Sequence, residues 1–453
     1  MSAVESIWRG RRGGVTIGAF ALIFLAAVES LAVTTVMPIV SRDLHGEELY
    51  AVAFAGTLAT GVIGMVAAGA WCDRAGPRGA LYAATGLFLA GLVIAGAATT
   101  MPVLLVGRLV QGLGAGAQTV ALYVVVARFY PPAVHGRVFA AFAAAWVVPS
   151  MVGPFLAGAV TEYLHWRWTF LGVAVLVAAA FVLVVLLLRD VDLGGGEHEG
   201  AGRGIGRRLL FAVMVAVGAV AIGFAVDAPE AWRWPLAVLV VLVIAVSIRP
   251  LLPVGALRAV RGLPSVVLMR GVVSGSFFAA EAYIPYLLIA RFDVPPTVAG
   301  LALTLAAIAW STASWLQGRF GDIWGSTRIA ASSLVLLGIG MAAELLVALG
   351  VLPPAAAMIG WGFAGGGMGL LYPRLTVLTL ADSTPTDQGF NSSALSISDS
   401  TGSAVAIAVA GIAFGSALIA GSGFPIVFLI AGGLVLLAVI PGLRLDPRHP
   451  HRG

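Results

Sequence analysis

The stretch GRLVQGLGAGAQT, residues 107–119, places an arginine inside an apolar segment that is long enough to cross a membrane. A charge near the centre of a bilayer costs about 3 kcal/mol on insertion scales, so such a residue usually faces a bundle interior or a water-filled path. At 3.6 residues per turn, Arg108, Gln111 and Thr119 fall on one face of the predicted helix, together with small residues. This helix therefore requires polar partners from the rest of the chain.

The composition excludes a water-soluble globular protein. Of the 453 residues, 60% are hydrophobic and only 10% are charged, which is typical of a membrane protein. The 58 glycines fit helices that approach one another closely in lipid. The single cysteine, Cys72, excludes an internal disulfide and a multi-cysteine metal site. We therefore predict an all-α polytopic membrane protein without a metal or cofactor, and attribute the net charge of +5 to membrane topology rather than nucleic-acid binding.

Hydropathy separates the chain into about fourteen apolar runs of spanning length. Six runs precede a polar, glycine-rich segment, two follow it directly, and six more complete the chain. The predicted divisions are an N-terminal six-helix half at 1–188, a cytoplasmic linker at 189–208, two additional transmembrane helices at 209–262, a C-terminal six-helix half at 263–443 and a cytoplasmic tail at 444–453. Most loop arginines lie on the side of the linker, so the positive-inside rule predicts a plasma (inner) membrane protein with both termini cytoplasmic.

The two predicted halves contain an internal repeat. Glycine, aspartate and glycine recur at the same spacing in the loops 69–78 and 318–328, and Glu29 and Glu281 lie at similar depths in the first helix of each half. Two six-helix repeats with sites at their interface are the architecture of many secondary transporters. The repeat therefore indicates alternating access around a central site.

The N-terminal half also contains five segments that resemble motifs of the major facilitator superfamily, in particular of its drug:proton antiporters with fourteen helices. They are the loop 69–78, Arg108 with Gln111 and Gly112 in the fourth helix, 153–158 in the fifth helix, 29–38 in the first helix, and 165–170. The resemblance implies the superfamily fold, with two six-helix halves and two extra central helices. Pro149 and Ala157 depart from the glycines that are more common in the antiporter motif, and this departure bears on the direction of transport.

The resemblance assigns roles to the cytoplasmic loop and to the fifth helix. The expected cytoplasmic gate comprises Gly69, Asp73, Arg74, Gly76 and Arg78. In it, Asp73 is expected to contact the N-terminus of the helix that starts near residue 390 and to latch the outward-facing state, favoured by the helix dipole. The alternative is that the arginines only set topology. The expected hinge of the fifth helix comprises Gly153, Pro154 and Gly158, because proline removes a backbone hydrogen bond and permits a kink; proline is also tolerated in membrane helices without such a role.

Five ionisable residues fall well inside predicted spans, and unpaired charges there would cost about 15 kcal/mol in total on insertion scales. They are Glu29, Arg108, Glu281, Arg374 and Asp399. Depth, counted at 1.5 Å per residue, predicts one ion pair in each half: Glu29 with Arg108, and Arg374 with Asp399. Glu281 has no obvious cation at its depth.

The helix that carries Asp399 also carries a stripe of serines, among them Ser396, at helical spacing. Such a stripe is predicted to line a water or substrate pathway, although serines also form hydrogen bonds across close helix contacts. Proton coupling requires a carboxyl that binds and releases a proton, and Glu29 and Glu281 are the predicted proton-titrating residues. The alternative for each is a static structural role.

We therefore predict a secondary transporter and not an enzyme: a proton-coupled exporter of small hydrophobic or amphipathic compounds, driven by the proton gradient. Its expected partners are the substrate, protons and membrane lipids, without nucleic acid, and the expected state is a monomer. Alternatives are a proton-coupled metabolite uptake symporter, a lipid exporter and a non-transporting membrane sensor. Seven aromatic residues are predicted to line a cavity for flat compounds: Tyr123, Trp146, Phe277, Phe278, Tyr283, Tyr286 and Trp310.

Overall fold

The computed structural model describes residues 10–189, 205–224, 229–383, 388–418 and 423–445. Fourteen α-helices run through these segments. The first seven are α1 Gly10–Asp43, α2 Tyr50–Ala75, α3 Pro77–Gly96, α4 Met101–Phe129, α5 Pro132–Tyr163, α6 Arg167–Leu188 and α7 Ile205–Phe224. The other seven are α8 Glu230–Ser247, α9 Leu263–Phe292, α10 Pro296–Trp324, α11 Ser326–Ala348, α12 Pro354–Ala381, α13 Gln388–Leu418 and α14 Phe424–Gly442.

The helix count predicted from hydropathy is confirmed. Eleven of the helices, counted over the described segments only, are long and apolar enough to cross a membrane. Most of the predicted linker and tail lies outside the described residues. We call the membrane face at which α1 begins the terminal face, and the face at which α1 ends the distal face.

Two groups of six helices pack within themselves. In the N-terminal group, α1–α6, α4 packs against α2 and α3, and α1 packs against α5 and α6. In the C-terminal group, α9–α14, α12 packs against α10 and α11, and α9 packs against α13 and α14. The groups meet where α2 contacts α13 and where α5 contacts α10. Helix α7 contacts both α2 and α13, and α8 packs on α7.

Glycine sets the closest helix approach in the N-terminal group. A side chain at Gly112 of α4 would collide with the carbonyl of Thr57 in α2, and one at Gly116 would collide with the backbone of Gly61. Small residues at such crossings allow the backbones to touch, which is how membrane helices gain packing energy. The glycine-rich face of α4 thus fixes the position of Arg108 against α1 and α2.

The internal repeat is visible in the backbone of two corresponding turns. Gly76 ends α2 with φ 79° and ψ 165°, and Gly325 ends α10 with φ 76° and ψ 154°. This region of backbone space is essentially restricted to glycine. The repeat of glycines in the sequence therefore reflects the same sharp turn in both groups.

A polar cluster at the distal face ties α1 to α6. The indole N–H of Trp166 donates to Asp43 Oδ2 at 2.8 Å, and the Arg167 guanidinium lies 3.8 Å from the same oxygen. Arg167 also donates to the carbonyl of Ala98 at 2.8 Å. The segment 165–170 thus closes the distal end of the N-terminal group.

Candidate functional site

The first charged cluster lies inside the N-terminal group and contains the predicted pair of Glu29 and Arg108. The Arg108 guanidinium donates from Nη1 to Glu29 Oε1 at 2.5 Å and to Gln111 Oε1 at 2.8 Å. Its Nε donates to the carbonyl of Ala53 at 3.4 Å. Glu29 and Arg108 are each only 4% exposed. The predicted contact is therefore present, and α1, α2 and α4 together hold it.

Burial makes this pair sensitive to the loss of either member. Taking two charges out of water is compensated only when they remain together with good geometry, and removal of one partner leaves an uncompensated charge. Gln111 is fully buried and its Nε2 has no hydrogen-bond partner. Among the described residues, the cluster therefore contains one buried donor without a partner, on the same side chain that accepts from Arg108.

The second charged cluster lies in the C-terminal group around Asp399. The Tyr372 hydroxyl lies 2.7 Å from Oδ1 and 2.6 Å from Oδ2 of Asp399, and the Ser274 hydroxyl donates to Oδ1. Arg270 Nε lies 3.6 Å from Oδ1, and the Arg270 guanidinium lies 3.0 Å from the centre of the Tyr372 ring. Three helices, α9, α12 and α13, therefore converge on one carboxylate.

The predicted pairing of Arg374 with Asp399 is wrong. Arg374 donates from Nε and Nη2 to the Ser326 hydroxyl at 3.1 and 3.0 Å, which ties α12 to the start of α11. Successive helical residues are rotated by about 100°, so residues that are two positions apart point to nearly opposite sides of the helix. Tyr372 faces Asp399, and Arg374, two residues later, therefore faces away from it.

Arg270 belongs to this cluster but was not among the residues predicted from the sequence. It lies seven residues inside α9 and shares a helix face with Ser274 and Glu281, at intervals of four and seven residues. A cation on the same stripe as a serine and a carboxyl was the signal in the sequence. Glu281 itself is buried, and in the described part of the chain it has no ion-pair or hydrogen-bond partner.

Ser396 lies beside the second cluster but is exposed, and its hydroxyl bonds only to the carbonyl of Ser392 within α13. Tyr123 of α4 is 47% exposed and lies within electrostatic range of Arg270 in the opposite helix group. Side chains of the two groups therefore approach one another in the terminal halves of α4 and α9.

The seven aromatic residues do not form one cavity. Phe277 packs against Phe278, Trp310 and Trp361, with ring centres 4.5–5.5 Å apart, and Trp310 continues to Tyr372 at 5.1 Å. Tyr123 and Trp146 are exposed. The remaining two, Tyr283 and Tyr286, belong to a separate cluster at the distal face.

That distal cluster joins the two helix groups. Tyr50 of α2 donates its hydroxyl to the carbonyl of Ala282 in α9. Its ring lies 5.4 Å from Tyr283 and 5.0 Å from Tyr286, and both of these pack against Phe414 of α13. The contact closes one side of the distal face.

Helices α5 and α10 close the other side. A side chain at Gly158 would approach Pro296 and Thr297 within 2.6–2.9 Å, and one at Gly300 would approach the carbonyl of Pro154. Thr297 also donates its hydroxyl to Glu162 Oε2 at 2.5 Å. Two of the three predicted hinge residues thus lie in a contact between the groups, while a side chain at Gly153 would meet its nearest neighbours only at 4.0 Å.

The residues of the expected gate lie at the terminal end of α2 and α3. The side chain of Asp73 lies outside the described residues. Arg74 is exposed, and it is Arg128 of α4 that donates to the carbonyl of Cys72, at 3.1 Å. Gly76 supplies the turn described above. The latch assigned to Asp73 stays a prediction.

Two packed helix groups, each with an intramembrane carboxylate beside an arginine, are the architecture of many secondary transporters. The chain belongs to the major facilitator superfamily, whose family model matches residues 19–274. The members of this family are membrane transporters rather than enzymes.

Curated relatives carry transporter names. The chain is 32% identical over 147 residues to the acurin A biosynthesis cluster MFS-type transporter of Aspergillus aculeatus, covering 32% of this chain and 26% of that one. It is 28% identical over 156 residues to multidrug resistance protein 3 of Bacillus subtilis, covering 34% and 30% of the two chains. The matched part of the chain thus spans only about a quarter to a third of the length of these relatives.

Solved structures share the fold across nearly the whole chain. A peptide transporter POT in complex with sulfate covers 96% of both chains with a TM-score of 0.68 at 17% identity. The human organic anion transporter MFSD10 (TETRAN) covers 97% of this chain and 100% of its own, with a TM-score of 0.62 at 16% identity. At these identities the likeness establishes the fold.

Proposed function

We propose that the protein is a proton-coupled exporter of small hydrophobic or amphipathic compounds that works by alternating access. The observation that carries the proposal is the part-buried cluster of Asp399, Arg270 and Tyr372, which lies in the terminal halves of α9, α12 and α13. Intramembrane charges that face a bundle interior mark substrate or proton pathways. The buried Glu29–Arg108 pair places a second such cluster in the other helix group.

The distribution of loop arginines supports an orientation of the protein in the membrane. Loop arginines concentrate at the terminal face, so the positive-inside rule supports a cytoplasmic terminal face and cytoplasmic chain termini. On this assignment the structure is an inward-facing state, closed to the outside at the contacts of Tyr50 and Gly158. The loop 69–78 then lies in the cytoplasm, where Asp73 would latch the opposite, outward-facing state.

Proton binding supplies the switch in this mechanism. A proton on Asp399 removes the charge that holds Arg270, so that Arg270 becomes available to substrate or to Tyr123 of the opposite helix group. A proton on Glu29 has the same effect on Arg108. Glu281, which has no cation, can exchange a proton without breaking a pair. Each event changes the relative free energies of the two facing states, which is how a ligand shifts a conformational equilibrium.

The names of two relatives support export. One is a multidrug resistance protein of Bacillus subtilis, and another is the MFS efflux transporter aclA of Aspergillus oryzae. A monomer in the plasma membrane, with only the proton gradient as energy source, is sufficient for this mechanism.

One feature favours a second candidate, a proton-coupled uptake symporter with the same fold. Pro149 and Ala157 of α5 stand where the antiporter motif more often has glycine, and both are buried. Side chains at these positions restrict how closely α5 can approach other helices. The direction of substrate movement separates the two candidates.

Purified protein in sealed lipid vesicles, with an imposed pH gradient and a fluorescent amphipathic cation as probe, tests the proposal. Export coupled to protons predicts that the probe moves against the proton flux and that collapse of the gradient abolishes the movement. Probe movement in the same direction as protons would establish the symporter instead. Movement that is unaffected by the gradient would exclude both.

A further inference from the structure

Glu344 of α11 is a buried carboxyl that the mechanism above does not use. Its side chain is 0% exposed, and neither of its carboxylate oxygens has a hydrogen-bond partner. It lies four residues before Ala348, where α11 ends at the distal face, which is about 6 Å along the axis. The group is therefore shielded from solvent, and within the described segments no donor bonds to it.

The helix dipole makes this position unfavourable for an anion. The C-terminal end of an α-helix carries partial negative charge from its unsatisfied carbonyls, and it favours nearby cations. Glu344 lies one turn before the last residue of α11, close enough to the helix C-terminus for a negative side chain to be repelled. A neutral carboxylic acid is not subject to this repulsion.

The helices packed against α11 offer Glu344 few charged neighbours. α14 contributes no ionisable residue. The ionisable residues on the other three helices are Tyr372 and Arg374 of α12, Arg319 and Asp322 of α10, and Arg270, Glu281, Tyr283, Tyr286 and Arg291 of α9. Of the cations, Arg270, Arg374 and Arg319 lie in the terminal halves of their helices, so Arg291 alone belongs to the distal end.

Arg291 reaches the end of α11 directly above Glu344. Its Nη1 donates to the carbonyl of Ala348, one helical turn beyond Glu344, and its Nη2 lies near Gly350. The guanidinium thus offsets the negative end of the helix dipole and sits within one turn of a carboxyl that it does not bond.

We propose that Glu344 is a proton-binding site of the C-terminal helix group, occupied in the distal-closed arrangement described here, and that Arg291 moves from Ala348 to Glu344 when the proton leaves. A proton removes the charge from a carboxyl that is fully buried and has no donor in the described part of the chain, and a buried charge without a partner is strongly unfavourable. The site is separate from Glu29 and Asp399. It would exist whether or not transport is coupled to protons.

The melting temperature of the purified protein in detergent, measured from acidic to alkaline pH, tests the proposal. Because the folded chain would hold a proton that the unfolded chain releases, stability should fall as pH rises. The Glu344→Gln variant has no proton to release at this position. We expect its melting temperature to match that of the wild type at acidic pH, and not to show the fall of several degrees that the wild type shows as pH rises. An unchanged fall in Glu344→Gln would overturn the proposal.

Two further variants separate Glu344 from other groups. Glu281→Gln is the matched control, because Glu281 is also buried and has no partner among the described residues. The fall in melting temperature that is due to Glu344 should persist in this variant. Arg291→Gln removes the cation that would replace the proton, so its melting temperature should fall more steeply with pH than that of the wild type. A parallel or shallower slope in Arg291→Gln would refute the role of Arg291.

Infrared spectroscopy gives a readout that does not depend on folding energetics. At neutral pH the protonated carboxyl of Glu344 should contribute a carbonyl stretching band that shifts in heavy water and is missing in Glu344→Gln. Retention of the full band in that variant would contradict the proposal. Neither measurement uses transport, so failure here and failure of the exporter proposal are distinguishable.

Discussion

The hydroxyl of Tyr372 lies within 2.7 Å of both carboxylate oxygens of Asp399. The same tyrosine ring lies beneath the guanidinium of Arg270, so one side chain contacts the anion with its hydroxyl and the cation with its face. Cation–π contacts strengthen when they are removed from water. Tyr372 therefore links protonation of Asp399 to the position of Arg270.

Neutralising Asp399 should uncouple transport from the pH gradient. In Asp399→Asn the carboxylate that binds the proton is gone, and we expect probe movement in vesicles to lose its dependence on the imposed gradient. The matched control is Ser396→Ala, one turn away on the same helix, whose hydroxyl bonds only within α13; it should retain gradient-driven transport. Equal behaviour of the two variants would exclude the role proposed for Asp399.

Removing the Tyr372 hydroxyl should give an intermediate effect. A hydrogen bond to a charged group contributes about 1.5–3 kcal/mol, which corresponds to a factor of roughly 10 or more in an equilibrium constant. Tyr372→Phe keeps the ring under Arg270, so we expect the variant to fold normally. The initial rate of gradient-driven probe movement should fall by about 10-fold. A wild-type rate would show that the hydroxyl has no part in the switch.

The Glu29–Arg108 pair should be non-additive in stability. Breaking a buried pair by removing one partner costs about 3–5 kcal/mol, so Glu29→Gln and Arg108→Gln should each lower the melting temperature in detergent. The double variant leaves no uncompensated charge, and we expect it to be more stable than either single variant. A double variant whose loss equals the sum of the two single losses would mean that the side chains do not interact.

The turn at Gly325 should not tolerate a side chain. Its backbone lies in a region that costs other residues about 1–3 kcal/mol, and a Cβ there would meet no atom within 4 Å, so Gly325→Ala tests conformation without collision. Gly338→Ala is the control, because Gly338 lies inside α11 with equally open surroundings and alanine favours a helix by about 1 kcal/mol. We expect the first variant to melt lower and the second to melt at or above the wild type.

A covalent link across the distal face should stop transport reversibly. Glu162 of α5 and Thr297 of α10 are hydrogen-bonded across the two helix groups. Cysteines at both positions, in a chain that also carries Cys72→Ala, should form a cross-link under oxidation that holds the distal face closed. We expect transport to cease and to return on reduction, while each single cysteine variant transports throughout. Full activity of the cross-linked protein would contradict alternating access by separation of α5 from α10.

The sequence predicted the helices and the first charged cluster because both depend on distance along the chain. Apolar runs of spanning length determine the helix count, and residue counts from the membrane faces place Glu29 and Arg108 at one depth. Depth does not determine the direction in which a side chain points around its helix. Depth alone therefore predicts a pair of Arg374 with Asp399, whereas in the structure Arg374 faces α11 and Tyr372 faces α13.

Arg270 and Glu344 were not predicted from the sequence because both lie towards the ends of their helices. Arg270 lies seven residues inside α9 and Glu344 four residues before the end of α11, where charged side chains often reach water. Only the tertiary packing buries Glu344 completely and turns Arg270 towards Asp399. The split of the aromatic residues between the Phe277 cluster and the distal closure likewise depends on which helices meet at which face.

Proton movement through the charged clusters is measured most directly in sealed vesicles that contain a pH indicator and purified protein. In the wild type, addition of a transported compound should cause protons to cross the membrane in the direction opposite to the compound. This proton flux should vanish in Asp399→Asn and Glu29→Gln, while both variants still bind the compound. Proton flux of wild-type size in both variants would contradict the account.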